Sequence, residues 1–160
     1  MNDTVKRLPF DLTVWTVSIV AGLALLAHEA MAGHDFSSAR NARWQAECGA
    51  CHVAYPPQLL PAPAWHRVMA RLDRHFGTDA SLDPGAAAEI GAFLERHAAR
   101  TSRDTASGRI TDTGWFVREH DEVPAATWRS AAVKSPANCA ACHRRAEQGD
   151  FGERSLRLPR

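Results

Sequence analysis

Two short elements constrain this chain more than anything else in it. CGACH begins at Cys48, and CAACH begins at Cys139, 91 positions later. Each holds two cysteines separated by two residues, with a histidine directly after the second. The sequence contains four cysteines, so the two elements use them all.

Three chemistries use cysteines in this way: disulfides, one zinc held by four thiolates, or two c-type haem attachments. Haem attachment needs two thiols that add to the two vinyl groups on one porphyrin edge. Two intervening residues give that reach, and the next histidine lies under the ring to ligate the iron. Both elements meet these requirements. A zinc site would have to close a loop of 87 residues between Cys51 and Cys139, far beyond ribbon spacing. It would also make both trailing histidines accidents. A redox dithiol accounts for one CxxC and leaves the second without a role. The sequence therefore predicts two covalent haem c groups. One is attached at Cys48 and Cys51 with His52 as iron ligand, the other at Cys139 and Cys142 with His143.

The beginning of the chain fits such a cargo. Lys6 and Arg7 precede an apolar run from Asp11 to Ala27, and Ala30 and Ala32 flank Met31. This is the pattern of an export signal with a small-residue cleavage site. The apolar stretch is shorter than the roughly 20 residues that span a bilayer. Residues 1–32 read as a signal peptide cleaved after Ala32, with an uncleaved anchor as the alternative, and the folded part is expected in a periplasm. Charge adds little: 19 Lys and Arg oppose 18 Asp and Glu, which gives no basic surplus for nucleic acid.

The sixth iron ligand decides function. Methionine or histidine opposite the first histidine closes the iron for electron transfer, whereas an empty position opens it to small ligands. Beyond residue 32 the sequence has one methionine, Met69, so at least one closed haem needs a second histidine. Met69 also has a packing explanation. Trp65, Val68, Met69, Leu72 and Phe76 recur at helical spacing and build one apolar face. His75 sits at the border of that face, and Gly77 reads as the helix stop. A second helix is signalled from Asp83 and Pro84, with Ile90, Phe93, Leu94 and His97 on one face. Periodicity leaves His75 and His97 as rivals. His120 follows three apolar residues and precedes Pro124, and its charged neighbours also suit an ordinary solvated histidine.

Helices are expected near residues 38–51, 62–76, 84–99 and 137–147, with no convincing strand pattern. The fold is expected to be mostly α, with short helices and long loops wrapped around two haems. Residues 33–100 would form one haem-bearing half and 101–160 the other, within one domain. The polar stretch RTSRDTASGR, residues 100–109, reads as their connection. Aromatic residues lie in both halves and suit the covering of haem faces.

With these motifs placed, the chain resembles the small dihaem cytochromes c of proteobacteria. Those proteins partner the sphaeroides haem protein, an oxygen-binding monohaem cytochrome c. The resemblance rests on ECGACHVAYPPQLLPAPAWHRVMARLDRHFGTDASLD, ITDTGWFVREHDEVPAATW and VKSPANCAACHRRAEQGDFGER. It implies haem attachment at the four cysteines, with His52 and His143 proximal. It implies His75 and His120 as the distal ligands and tilts the choice from His97 to His75. Local pairing, with His75 serving the first haem and His120 the second, is the simplest arrangement. A crossed pairing would tie the halves together.

The leading expectation is an electron carrier with two bis-histidine haems, standing between a membrane donor such as a b-type cytochrome and a soluble haem protein. The alternative is a haem enzyme or ligand sensor with one open position, acting on peroxide, oxygen or a nitrogen oxide. A third reading is a docking module of a larger redox complex, with Arg100, Arg103 and Arg109 or Arg144 and Arg145 meeting an acidic partner.

Overall fold

The computed structural model of the protein describes residues 36, 39–100 and 106–159. The expected signal peptide and residues 101–105, half of the expected connection between the halves, lie outside the described residues. The first helix, α1 (Ala42–Cys48), starts where the Asn41 side chain accepts a hydrogen bond from the Trp44 amide at 2.7 Å. Such a cap satisfies one of the amides that a helix start leaves without a partner. α1 is shorter than the expected 38–51 and ends as it delivers Cys48.

α2 covers Ala62–Met69, half of the expected 62–76. The Ala70 amide reaches back to the His66 and Val68 carbonyls, which tightens the last turn, and Arg71 leaves helical geometry. A 3-10 turn, Leu72–Arg74, follows. His75 is therefore on a turn and not on the helix. Phe76 at φ 48° and Gly77 at φ 102° then reverse the chain in left-handed backbone. The helical spacing of Phe76 misled because its ring, 47% exposed, does not join the apolar face.

α3 (Pro84–His97) agrees with its sequence signals. Asp83 caps it by accepting from the Ala86 amide at 3.0 Å, and Pro84 occupies the first turn. Two short helices were not anticipated, α4 (Gly114–Glu119) and α5 (Ala125–Arg129). The expected helix over 137–147 is absent. That segment holds two 3-10 turns, Cys139–Ala141 and Ala146–Gln148, and Gly149 at φ 79° ends the second. Its residues are mostly small or charged, so no apolar face pays for a longer helix.

The main core lies among α1, α2 and α3. Trp44, Leu60, Ala64, Trp65, Ile90, Phe93 and Leu94 are buried together, with the Trp44 and Phe93 rings 5.2 Å apart. Met69 packs against this cluster, as its helical spacing suggested. Burying a side chain such as Ile90 or Leu94 contributes about 1.5–3 kcal/mol. Beyond residue 106 the buried apolar residues are few: Phe116, Val133 and Ala146. The described residues form no strand, only isolated bridges such as Pro61 with Ala99 and His143 with Leu156. His34–Arg160 forms one compact unit.

Candidate haem sites

The first CxxCH leaves the end of α1. The Gly49 amide donates to the Gln45 carbonyl, and a Cβ on Gly49 would collide with that oxygen. The glycine thus lets the chain turn out of the helix directly after Cys48. His52 follows in an exposed turn. Its Nδ1 lies 2.7 Å from the Val53 carbonyl oxygen. A carbonyl only accepts, so Nδ1 carries the proton and Nε2 keeps a free lone pair, the state a metal requires. Tyr55 stacks on the His52 ring at 4.5 Å and 15°.

His75 faces His52 with ring centroids 6.2 Å apart and planes inclined by 26°. The turn after α2 brings it there: the His75 amide donates to the Leu72 carbonyl, and the Thr78 amide donates to that of His75. The Phe76 ring meets His75 edge-on at 4.9 Å, and the Arg109 guanidinium covers Phe76 at 4.3 Å. Burial, then the His52 charge, then Arg109 push the His75 pKa below its ordinary value.

The second site is built from α4. Thr113 is buried, with 1% of its surface exposed. Its hydroxyl donates to the Ile110 carbonyl at 2.7 Å and accepts from the Phe116 amide at 3.1 Å, so it caps the helix. The Phe116 ring then stacks on His120 at 4.1 Å, and His120 Nδ1 donates to the Phe116 carbonyl at 2.9 Å. Trp128 of α5 closes on His120 at 5.8 Å. His143 lies 6.2 Å from His120 with planes inclined by 78°. Phe151 packs on His143 at 5.2 Å, and the Arg157 amide donates to the Cys142 carbonyl. Burial, then the His120 charge, lower the His143 pKa, against the opposing pull of the Phe151 backbone and Asp150.

These distances test the fit of a haem. A metal–imidazole bond is about 2.0 Å, and a five-membered ring of ordinary aromatic bonds places its centroid about 1.15 Å from each atom. Two imidazoles on opposite sides of one metal ion then have centroids about 6.3 Å apart. Both pairs stand at 6.2 Å. Each of these close pairs joins a CxxCH histidine to the distal candidate nearest in sequence.

The rivals stand elsewhere. His97 packs on Phe93 of its own helix at 5.0 Å, and His66 pairs with Glu95 at 3.4 Å. Among the described residues, no three His, Cys, Asp or Glu side chains converge on one point as a bare metal ion would need. The thiols also do not suit a redox dithiol. Burial pushes Cys48 and Cys139 up to about 11 and raises Cys142, whereas redox-active pairs have lowered values. Thr113 and Tyr55 were not identified from sequence as site residues. Thr113 had a readable signal, a threonine directly before an apolar helical turn. Tyr55 had none.

Residues 44–151 match the dihaem cytochrome c family. The diheme cytochrome type c from Shewanella baltica OS155 is 42% identical, with a TM-score of 0.67 over 74% of this chain and 93% of that one. Two structures of the diheme cytochrome c from Rhodobacter sphaeroides are similar as well. One is 41% identical with a TM-score of 0.63, the other 45% identical with a TM-score of 0.62. Each match covers 69% of this chain and 96% of that one. No curated protein matches the chain.

Proposed function

The chain belongs to the dihaem cytochrome c family, a c-type electron carrier with two covalent haem c groups, and we propose that it works in the periplasm with both irons closed by two histidines. The observation that carries the coordination is the pair of 6.2 Å histidine separations, His52 with His75 and His120 with His143. When bound, each haem supplies an iron that takes up or releases one electron without bond chemistry on a substrate. The residues of this chain do the rest. Val53 and Phe116 orient His52 and His120 through their Nδ1 protons, which fixes the tautomer and raises ligand basicity. Phe116 and Trp128 pack on His120, and Phe151 packs on His143. Leader-like residues 1–32 support export. The motif resemblance supports a membrane b-type cytochrome as donor and a soluble oxygen-binding monohaem cytochrome c, like the sphaeroides haem protein, as acceptor.

Low-temperature EPR of the oxidised, fully loaded protein tests this reading. Each imidazole donates π density into the metal d orbital normal to its ring. Near-parallel rings raise one orbital and split the pair; near-perpendicular rings leave it almost degenerate. The 26° and 78° angles therefore predict two different low-spin signals, one rhombic and one of large maximal g. A stoichiometric high-spin signal would sink the closed-carrier reading and favour an open position that acts on a small ligand.

A further inference from the structure

Tyr55 touches both haem sites. Its ring lies flat on His52 at 4.5 Å, and its hydroxyl donates to the Ala137 carbonyl at 2.7 Å, across 82 positions of sequence. Ala137 stands two residues before Cys139, whose sulfur is 3.7 Å from the same carbonyl oxygen. In the haem-bearing protein that sulfur is a thioether with no proton to donate, which leaves the Tyr55 hydroxyl as its partner. A carbonyl oxygen only accepts, so the hydroxyl is the donor in this 2.7 Å bond.

We propose that Tyr55 is the coupling residue between the two haems, holding the His52 ligand plane with its ring and the Cys139 attachment segment with its hydroxyl, and that electrons pass between the sites along this contact. The proposal rests on the two-histidine carrier reading above. The route is short and continuous: His52 ring, Tyr55 ring, one hydrogen bond, the Ala137 carbonyl, Asn138, Cys139. One electron leaves the reduced iron of one site and arrives at the oxidised iron of the other. Tyr55 keeps its proton and its electrons, so the transfer needs no further reactant. Simple packing would need only the ring, whereas coupling needs the hydroxyl too.

The test uses loaded wild-type, Tyr55→Phe and Tyr55→Leu proteins. A laser flash delivers less than one electron per molecule, and absorbance follows its redistribution between the haems. Redox titration of the same samples allows rates to be compared at equal driving force. EPR reports the His52 site separately. In Tyr55→Phe the redistribution rate falls several-fold while both low-spin signals keep their wild-type shape. In Tyr55→Leu the rate falls further and the near-parallel signal shifts, because the stacking ring is gone. A wild-type rate in Tyr55→Phe overturns the proposal, as does a slowing fully explained by shifted midpoint potentials. A high-spin signal in the wild-type protein would overturn the coordination reading beneath it, and it shows before any variant is made.

Discussion

His75 and His120 reach their partner histidines by different local means. His120 ends α4, with Phe116 stacked on its ring and the Phe116 carbonyl holding its Nδ1 proton. His75 hangs on a reversed turn, held by backbone bonds to Leu72 and Thr78 and flanked by Phe76. Replacing either with alanine should leave one iron five-coordinate. The His75→Ala protein is expected to lose the near-parallel low-spin signal and gain one high-spin equivalent. The His120→Ala protein is expected to lose the near-perpendicular signal instead. EPR of each variant, with carbon monoxide binding after reduction, checks both the roles and the pairing. His97 offers the control, since it packs on Phe93 and its replacement should leave both signals intact.

At the scale of elements, the second site depends on a helix of six residues. Isolated helices this short are not stable in water, so α4 needs its cap and its packing. Thr113 supplies the cap from a buried position. Thr113→Val keeps the shape and removes the hydroxyl, at a cost of about 0.5–2 kcal/mol. The expected outcome is a lower denaturation midpoint together with a growing high-spin fraction from the second haem, while the first stays low-spin. Thr113→Ser should restore the low-spin signal, and a Thr113→Val protein with an unchanged second signal would deny Thr113 a positioning role. By contrast α3 carries its own cap and a buried face of Ile90, Phe93 and Leu94, and it matched its sequence signals closely. The difference is physical: α3 is long enough for its periodicity to be legible, while α4 and α5 are shorter than two turns and show none.

Across the whole molecule the apolar core is uneven. The segment before residue 100 buries two tryptophans and a cluster around Ile90, while residues 106–159 bury little beyond Phe116, Val133 and Ala146. The second segment therefore relies on its haem to supply the missing apolar mass. Replacing Cys139 and Cys142 by alanine, so that the second haem is not attached, is expected to strip amide-exchange protection from residues 106–159. Protection within 42–97 should persist. Uniform loss throughout would show instead that the two segments fold only together, and uniform retention that the second segment needs no cofactor.

The sequence by itself determined the cofactor chemistry. Covalent attachment depends on residue type at fixed spacing, and CxxCH at Cys48 and Cys139 states that directly. It also determined the capped, periodic α3, because local hydrogen bonding and burial agree there. That His75 lies beside His52 and His120 beside His143 is visible only in the tertiary structure. His75 stands on a turn whose left-handed backbone at Phe76 and Gly77 leaves no period to read, and α4, which ends at His120, is too short to show one. The same holds for Tyr55, whose hydroxyl meets a carbonyl far along the chain. No local pattern encodes a contact between distant segments, since its energy is realised only when packing brings them together.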